Sequence, residues 1–247
     1  MQSQYKRKLY GAILGDLAGQ PYEFPKMQGP YTDINIHNPK SHFTDDTLLT
    51  LASADFMLDT DGTKYASLED AYKTMGKRYN NFDFYGAGFK KWLDTPYGTI
   101  GNSWGNGCLM RISPFMYVED GLPLIMESVL CSHKHQISIE SVIKLYRRYK
   151  EGYKNPQVFV IMPFKEFVVK ADRTVDFCTN LTSQTYGTHR CIEKAIQQGG
   201  DTDTNASIVG ELSNYYMRDL TEKDAEYVES KLDPYLLGIL RQFNEKF

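Results

Sequence analysis

Apolar residues recur at helical spacing along most of the chain. Leu9, Ile13 and Leu17 stand four apart within residues 5–19 and predict one helix face there. Gly11, Gly15 and Gly19 share that spacing. A glycine inside a helix costs about 1 kcal/mol. A stripe of three therefore predicts either that another backbone packs closely against it or that the helix is short. Pro21 is expected to end this helix. Residues 46–59 predict a second helix, opened by Thr44-Asp45-Asp46-Thr47, residue types that favour helix N-termini. Further helices are expected over 68–79, 122–132 and 137–150, over 203–217 (again opening on acidic residues), and as one or two closing helices over 224–245. The best strand signal is Val158-Phe159-Val160-Ile161-Met162, ended by Pro163. The stretch 80–107, rich in Gly, Asn and aromatics, reads as loop or irregular structure, and long ordered loops are often functional. No internal repeat, low-complexity linker or domain boundary interrupts the pattern, so one domain is expected over residues 1–247.

Composition agrees with a packed domain. Of 247 residues, 41% are hydrophobic and 24% charged, enough apolar material for a sizeable core. The net charge of −3 exerts no global pull toward nucleic acid or an anionic membrane. Lys6-Arg7-Lys8 precedes a short apolar run, but Asp16 interrupts it before it reaches the length of a signal peptide, and no window approaches a membrane span. Cys108, Cys131, Cys178 and Cys191 lie far apart without CxxC spacing, unlike a zinc site or a disulfide framework, so a reduced, cytoplasmic setting is expected.

Two acidic clusters carry the strongest chemical signal. Phe43-Thr44-Asp45-Asp46-Thr47 and Gly199-Gly200-Asp201-Thr202-Asp203-Thr204 each set paired carboxylates and threonine hydroxyls at the start of an apolar-periodic segment. These are hard oxygen ligands, which suit Mg, Mn or Ca rather than zinc or copper. If the two helix starts face each other, four carboxylates meet in one volume and repel unless cations neutralise them. The alternative is plain helix capping, where a negative charge is worth about 0.3–1 kcal/mol.

Weaker signals surround these clusters. Gly101-Asn102-Ser103-Trp104-Gly105-Asn106-Gly107 is glycine-rich, either a loop whose N–H groups approach a pyrophosphate or an ordinary turn. Glu23, between Tyr22 and Phe24, either reaches into a cleft or lies on the surface beside a buried aromatic. Asp16 reads as structural, inside the helix or capping its end. His133 and His135 sit near a helix end, as ligands or as ordinary structural histidines. The basic run Lys144, Arg147, Arg148 and Lys150 reads as a solvated helix face rather than a nucleic-acid surface.

Together these segments resemble the ADP-ribosylglycohydrolase family, which includes dinitrogenase reductase-activating glycohydrolase. The resemblance rests on Gly15-Asp16-Leu17-Ala18-Gly19 leading to Glu23, on Thr44-Asp45-Asp46-Thr47, and on Tyr85-Gly86 with Trp92-Leu93. It continues through Gly105-Asn106-Gly107 with Met110-Arg111-Ile112 and Pro114, then Ser132-His133, and ends on Gly199 to Thr204. Ser132 stands where threonine is more usual, Cys108 where a smaller residue is common, and residues 150–180 resemble the family least.

The resemblance implies an all-α fold: a single-domain orthogonal helical bundle with a dinuclear metal site in a central cleft. It implies Thr44, Asp45, Asp46, Asp201, Asp203 and Thr204 as ligands of two divalent cations, Mg or Mn. It further implies Glu23 as the catalytic carboxylate, and Ser103, Trp104, Gly105, Asn106, Gly107 and His133 as substrate-binding residues. The expected activity is hydrolytic release of ADP-ribose from an ADP-ribosylated protein or a small-molecule conjugate. A monomer is expected, with no membrane partner and no nucleic acid beyond an ADP-ribosylated one. The rival expectations are a non-catalytic binding or structural protein on the same fold, and a two-metal nucleotide phosphohydrolase.

Overall fold

A computed structural model describes residues 7–23, 30–80, 84–152 and 167–247. In chain order the helices are α1 (Tyr10–Glu23), α2 (Asp45–Leu58), α3 (Leu68–Arg78), α4 (Ala87–Leu93) and α5 (Gly107–Met110). A 3-10 turn (Ser113–Tyr117) follows, then α6 (Leu122–Leu130), α7 (Gln136–Glu151), α8 (Ala171–Gln184), α9 (Thr188–Gln197), α10 (Thr202–Met217), α11 (Glu222–Lys231) and α12 (Pro234–Lys246). The fold is all-α. Among the described residues, extended pairing is limited to two isolated antiparallel contacts, Asn102 with His133 and Gly105 with Lys170. The strand expected at Val158–Met162 lies outside the described residues.

Two helices form the centre. Tyr10 to Gly19 of α1 and Thr202 to Asn214 of α10 are buried without interruption, and the glycine stripe explains why they lie together. A Cβ on Gly11 would fall 2.4 Å from the carbonyl oxygen of Gly210, one on Gly15 2.1 Å from that of Ala206, and one on Gly19 2.3 Å from that of Thr202. As the α1 residue number rises by four, its α10 partner falls by four, so the helices run antiparallel at backbone contact. The end of α1 therefore meets the start of α10. There the Thr202 hydroxyl donates to the Gly19 carbonyl at 2.9 Å. At the opposite end, the buried Glu211 carboxylate of α10 accepts from the backbone N–H groups of Leu9 and Ala12, which α1's own first turn cannot satisfy.

This contact gives the first prediction. Gly15→Ala adds one methyl where no atom fits and should lower stability by about 1–3 kcal/mol, the usual effect of overpacking a core. Denaturant unfolding measures it, and a wild-type midpoint would show that the backbones are not in contact.

Two expected boundaries differ. The first helix begins at Tyr10 and runs through Pro21 to Glu23. Proline removes one i to i−4 bond, but in the last turn few residues depend on it. The stretch 80–107 contains α4, which buries Trp92 and Leu93. The closing region is two helices because Asp233 accepts from the N–H groups of Tyr235 and Leu236 and Pro234 opens a new first turn. Helices α8 and α9 and the short α5 were not foreseen.

Candidate functional site

The antiparallel α1–α10 pair brings the two acidic clusters together. Gly199 and Gly200 adopt φ of 75° and 79°, a left-handed conformation that turns the chain from α9 into α10 with Asp201 at the N-cap. Glu23 ends α1 beside that turn, so that one carboxylate oxygen each from Glu23, Asp201 and Asp203 lie within 4.8 Å of one another. From the other side, α2 points its first turn at the same place. The Thr204 hydroxyl of α10 donates to Asp46 Oδ2 at 3.0 Å, joining the two helix starts directly. Asp46 Oδ1 is buried and has no hydrogen-bond partner among the described residues.

Asp16 fixes this arrangement, although nothing in the sequence singled it out as a partner of α2. It sits fully buried within α1 and accepts from the backbone N–H groups of Thr44 and Thr47 and from both hydroxyls. It thus caps α2 from a neighbouring helix and orients Asp45 and Asp46. The expectation that Asp16 is structural holds, but the helix it caps is not its own. Thr44 spends its hydroxyl proton on Asp16 Oδ1 and accepts from the N–H of Asp46, so its oxygen is already engaged locally. An isolated signal for Asp16 existed: a carboxylate on an otherwise apolar helix face needs several donors.

The electrostatics follow from the crowding. Burial, with the Asp203 charge as the next contributor, raises Glu23 to about 9, and the same two causes raise Asp45 to about 8. Burial raises Asp201 to about 6, with a hydrogen bond from Asn106 pulling the other way. Asp46 and Asp203 are held well above the ordinary carboxylate range, by burial first and by neighbouring carboxylates second. Tyr85 adjoins the cluster: its buried hydroxyl has no partner among the described residues, and the Asp45 charge adds to the effect of burial in raising its pKa.

A stability prediction results. Folded-state values raised above 3.8 and 4.5 mean that the folded protein holds protons that the unfolded chain has already lost. With chelator present, the contribution of these groups should be fully present below about pH 4 and decline up to about pH 9. Divalent cations should flatten that decline. Thermal midpoints against pH, with EDTA and with Mg, check this; identical profiles would mean the cluster binds no cation.

The glycine-rich loop closes the site on a third side. Asn106 Nδ2 donates to Asp201 Oδ2 at 2.6 Å, and the Asn106 N–H donates to the Val169 carbonyl at 2.8 Å. The N–H of Ser103 donates to the Ser132 carbonyl, and Ala171 donates to that of Trp104. The backbone is therefore held from both flanks while Ser103 and Trp104 are exposed, Trp104 48% so.

His133 lies behind this loop, its Nε2 3.6 Å from where a Gly107 Cβ would be. The guanidinium of Arg111, fully buried against the face of Tyr72, donates to Ser132 Oγ at 2.7 Å, and that oxygen is 2.7 Å from His133 Nδ1. Arg111 thus holds Ser132 Oγ in place beside His133 Nδ1, which leaves the ring's other nitrogen, Nε2, toward the loop. Burial, then the Arg111 charge, holds His133 well below the usual histidine range, so the ring is neutral. The sequence pointed to His133 but not to this relay. His135 instead caps α7, accepting from the Ile137 N–H.

Comparison with known proteins bears on the family and the fold. A sequence profile described as ADP-ribosylglycohydrolase matches residues 1–144, which include Asp16, Glu23, Thr44 to Thr47, the glycine loop and His133. A solved structure described as an ADP-ribosylglycohydrolase-related protein complex superposes with a TM-score of 0.66. The match covers 98% of this chain and 99% of that one at 16% identity, a likeness of fold. No curated protein sequence matches. With more than half its length matched by the family profile and its fold shared along the whole chain, this protein belongs to the ADP-ribosylglycohydrolase family.

Proposed function

We propose that the protein hydrolyses the glycosidic bond at the distal ribose of an ADP-ribosylated acceptor, N- or O-linked, and releases intact ADP-ribose. The observation that carries the reading is the meeting of Glu23, Asp201 and Asp203 with the α2 start through the Thr204–Asp46 bond. The N–H groups at the start of α2 are already met by Asp16 and Thr44, so capping does not call for the other carboxylates. Here buried carboxylates crowd together, and one oxygen of Asp46 is left without a donor. That excess of hard oxygen fits two cations such as Mg or Mn, held by Asp45, Asp46, Asp201, Asp203 and Thr204, with the buried Thr44 oxygen beside them. When bound, such ions supply Lewis acidity and orientation for ribose hydroxyls and water.

The remaining chemistry belongs to the chain. Cleavage at an anomeric carbon passes through an oxocarbenium-like state and requires one proton to be delivered or removed. We assign that transfer to Glu23, a half-buried carboxyl pushed up to about 9 by burial and then by the Asp203 charge. Asn106 links the loop to the carboxylates, so a ligand on the Gly105–Gly107 backbone lies next to them. The neutral His133 ring turns Nε2 toward that backbone from behind. Trp104 presents an exposed ring on which a purine can stack. The four free cysteines fit a reducing, cytoplasmic setting.

The test is the product. Incubated with Mg and a mono-ADP-ribosylated protein, the enzyme should release ADP-ribose and regenerate the unmodified side chain, and prolonged EDTA treatment should stop it until Mg or Mn is returned. AMP or phosphate as product would make it a phosphohydrolase, and no turnover on any linkage would make it a binding protein.

A further inference from the structure

A second cluster of metal-ligating groups lies away from the acidic centre. His37, in the segment before α2, places Nε2 2.7 Å from Asp224 Oδ1; His189, near the start of α9, places Nε2 2.8 Å from the same oxygen. The three ligand atoms lie within 4.8 Å of one another. They come from three separate parts of the chain. The Asp224 side chain is fully buried, that of His37 20% exposed and that of His189 41% exposed.

The surroundings hold these groups still. Asp224 Oδ2 is occupied by the N–H and hydroxyl of Thr221 in the capping box of α11, which leaves Oδ1 directed at the two imidazoles. The His37 ring packs edge-on against Tyr227, with centroids 5.0 Å apart, and against His189. The Tyr227 hydroxyl and Lys231 Nζ of α11 donate to the carbonyls of Asn38, Pro39 and Ser41, fastening the segment that carries His37. Asp219 and Glu193 add negative potential around His189.

We propose that His37, His189 and Asp224 form a separate site for a borderline transition-metal ion, of which Zn2+ is the natural probe. Two imidazole nitrogens and one carboxylate oxygen are the donor set such ions prefer, in contrast to the all-oxygen set at the α2 and α10 starts. Tetrahedral ligands about 2.0–2.1 Å from zinc stand roughly 3.3 Å apart. The present nitrogen–oxygen spacings of 2.7 and 2.8 Å need widen by only about half an ångström to reach that separation. Each imidazole then carries its proton on Nδ1 and turns an Nε2 lone pair to the ion. The exposed side of His189 leaves a fourth position for water. Occupancy would clip the segment before α2 to α9 and α11.

Zinc titration of the full chain in saturating Mg, against a competing chromophoric chelator, tests this. The wild type should take up one Zn2+, and substituted Co2+ should show tetrahedral visible absorption. His37→Ala and His189→Ala should each weaken binding by about 100-fold or more, beyond the 10–100-fold typical for losing a mere orienting neighbour. His42→Ala, an exposed histidine outside the cluster, and Asp203→Asn, at the acidic centre, should leave that uptake unchanged, which separates this site from the proposed catalytic one. Zinc should raise the thermal midpoint of the wild type but not of His189→Ala. Uptake unaltered in both histidine variants, or no uptake by the wild type, would reduce the cluster to an ion pair.

Discussion

Glu23→Gln is expected to lose about 10²–10⁴-fold in kcat, the usual worth of a general acid or base, equivalent to roughly 3–5 kcal/mol of barrier. The amide keeps the shape of the side chain at the end of α1, so packing beside Tyr22 survives. It cannot exchange a proton in the relevant range. Glu23 owes its raised value of about 9 to burial first and then to Asp203, Asp45 and Asp16, all of which remain in the variant. ADP-ribose affinity should therefore stay near wild type, because the loss falls on the transition state alone. Measuring kcat and affinity together decides the role. Preserved kcat with weakened affinity would make Glu23 a binding residue, and no change in either would remove it from the site.

Asp203→Asn should separate stability from function in opposite directions. Asp203 is the charge that most of its neighbours feel: it is the leading charged contributor to the raised values of Glu23, Asp45 and Asp46. Removing it while keeping the side-chain oxygen that accepts from the Thr204 N–H relieves that repulsion, so the chelator-treated variant should melt above the chelator-treated wild type near neutral pH. At the same time it removes a hard ligand. The stabilisation given by Mg should shrink, and turnover should fall by at least about 100-fold, the upper range for disturbing even an outer-shell partner. A simple cap would behave otherwise: its loss lowers stability by about 0.5–2 kcal/mol and leaves turnover near normal. Thermal melts with and without Mg, beside steady-state rates, distinguish the two.

The residues of the site were more legible than their arrangement. Thr44 to Thr47 and Gly199 to Thr204 announce themselves because short oxygen side chains at helix starts form a local pattern. Their meeting depends on the Gly11, Gly15, Gly19 stripe, whose spacing predicts close backbone contact but carries no label for α10 as the partner. The capping of α2 by Asp16 and the Arg111–Ser132–His133 relay are likewise tertiary: each joins residues from different elements, and no periodicity encodes them.

Helices α8 and α9 escaped for a different reason. The buried face of α8 includes Thr174, Thr179 and Thr182, so its apolar stripe is thin. The hydroxyls of Thr179 and Thr182 return to the carbonyls of Val175 and Cys178 in their own helix, which makes those positions effectively nonpolar once the helix exists. In α9 the buried Cys191, Ile192, Ala195 and Ile196 alternate with charged residues over only ten positions, close to the shortest helix that periodicity can reveal. The short α4 sits among glycines and aromatics that read as loop, and it is held by Phe89 and Trp92 packing rather than by propensity.

The most direct test of the account is anomalous diffraction from crystals grown with Mn2+ and ADP-ribose. The account predicts two manganese peaks enclosed by Asp45, Asp46, Asp201 and Asp203, with the distal ribose beside them and its anomeric carbon within reach of Glu23. Manganese absent from that volume, or ADP-ribose bound with its distal ribose away from Glu23, would contradict it.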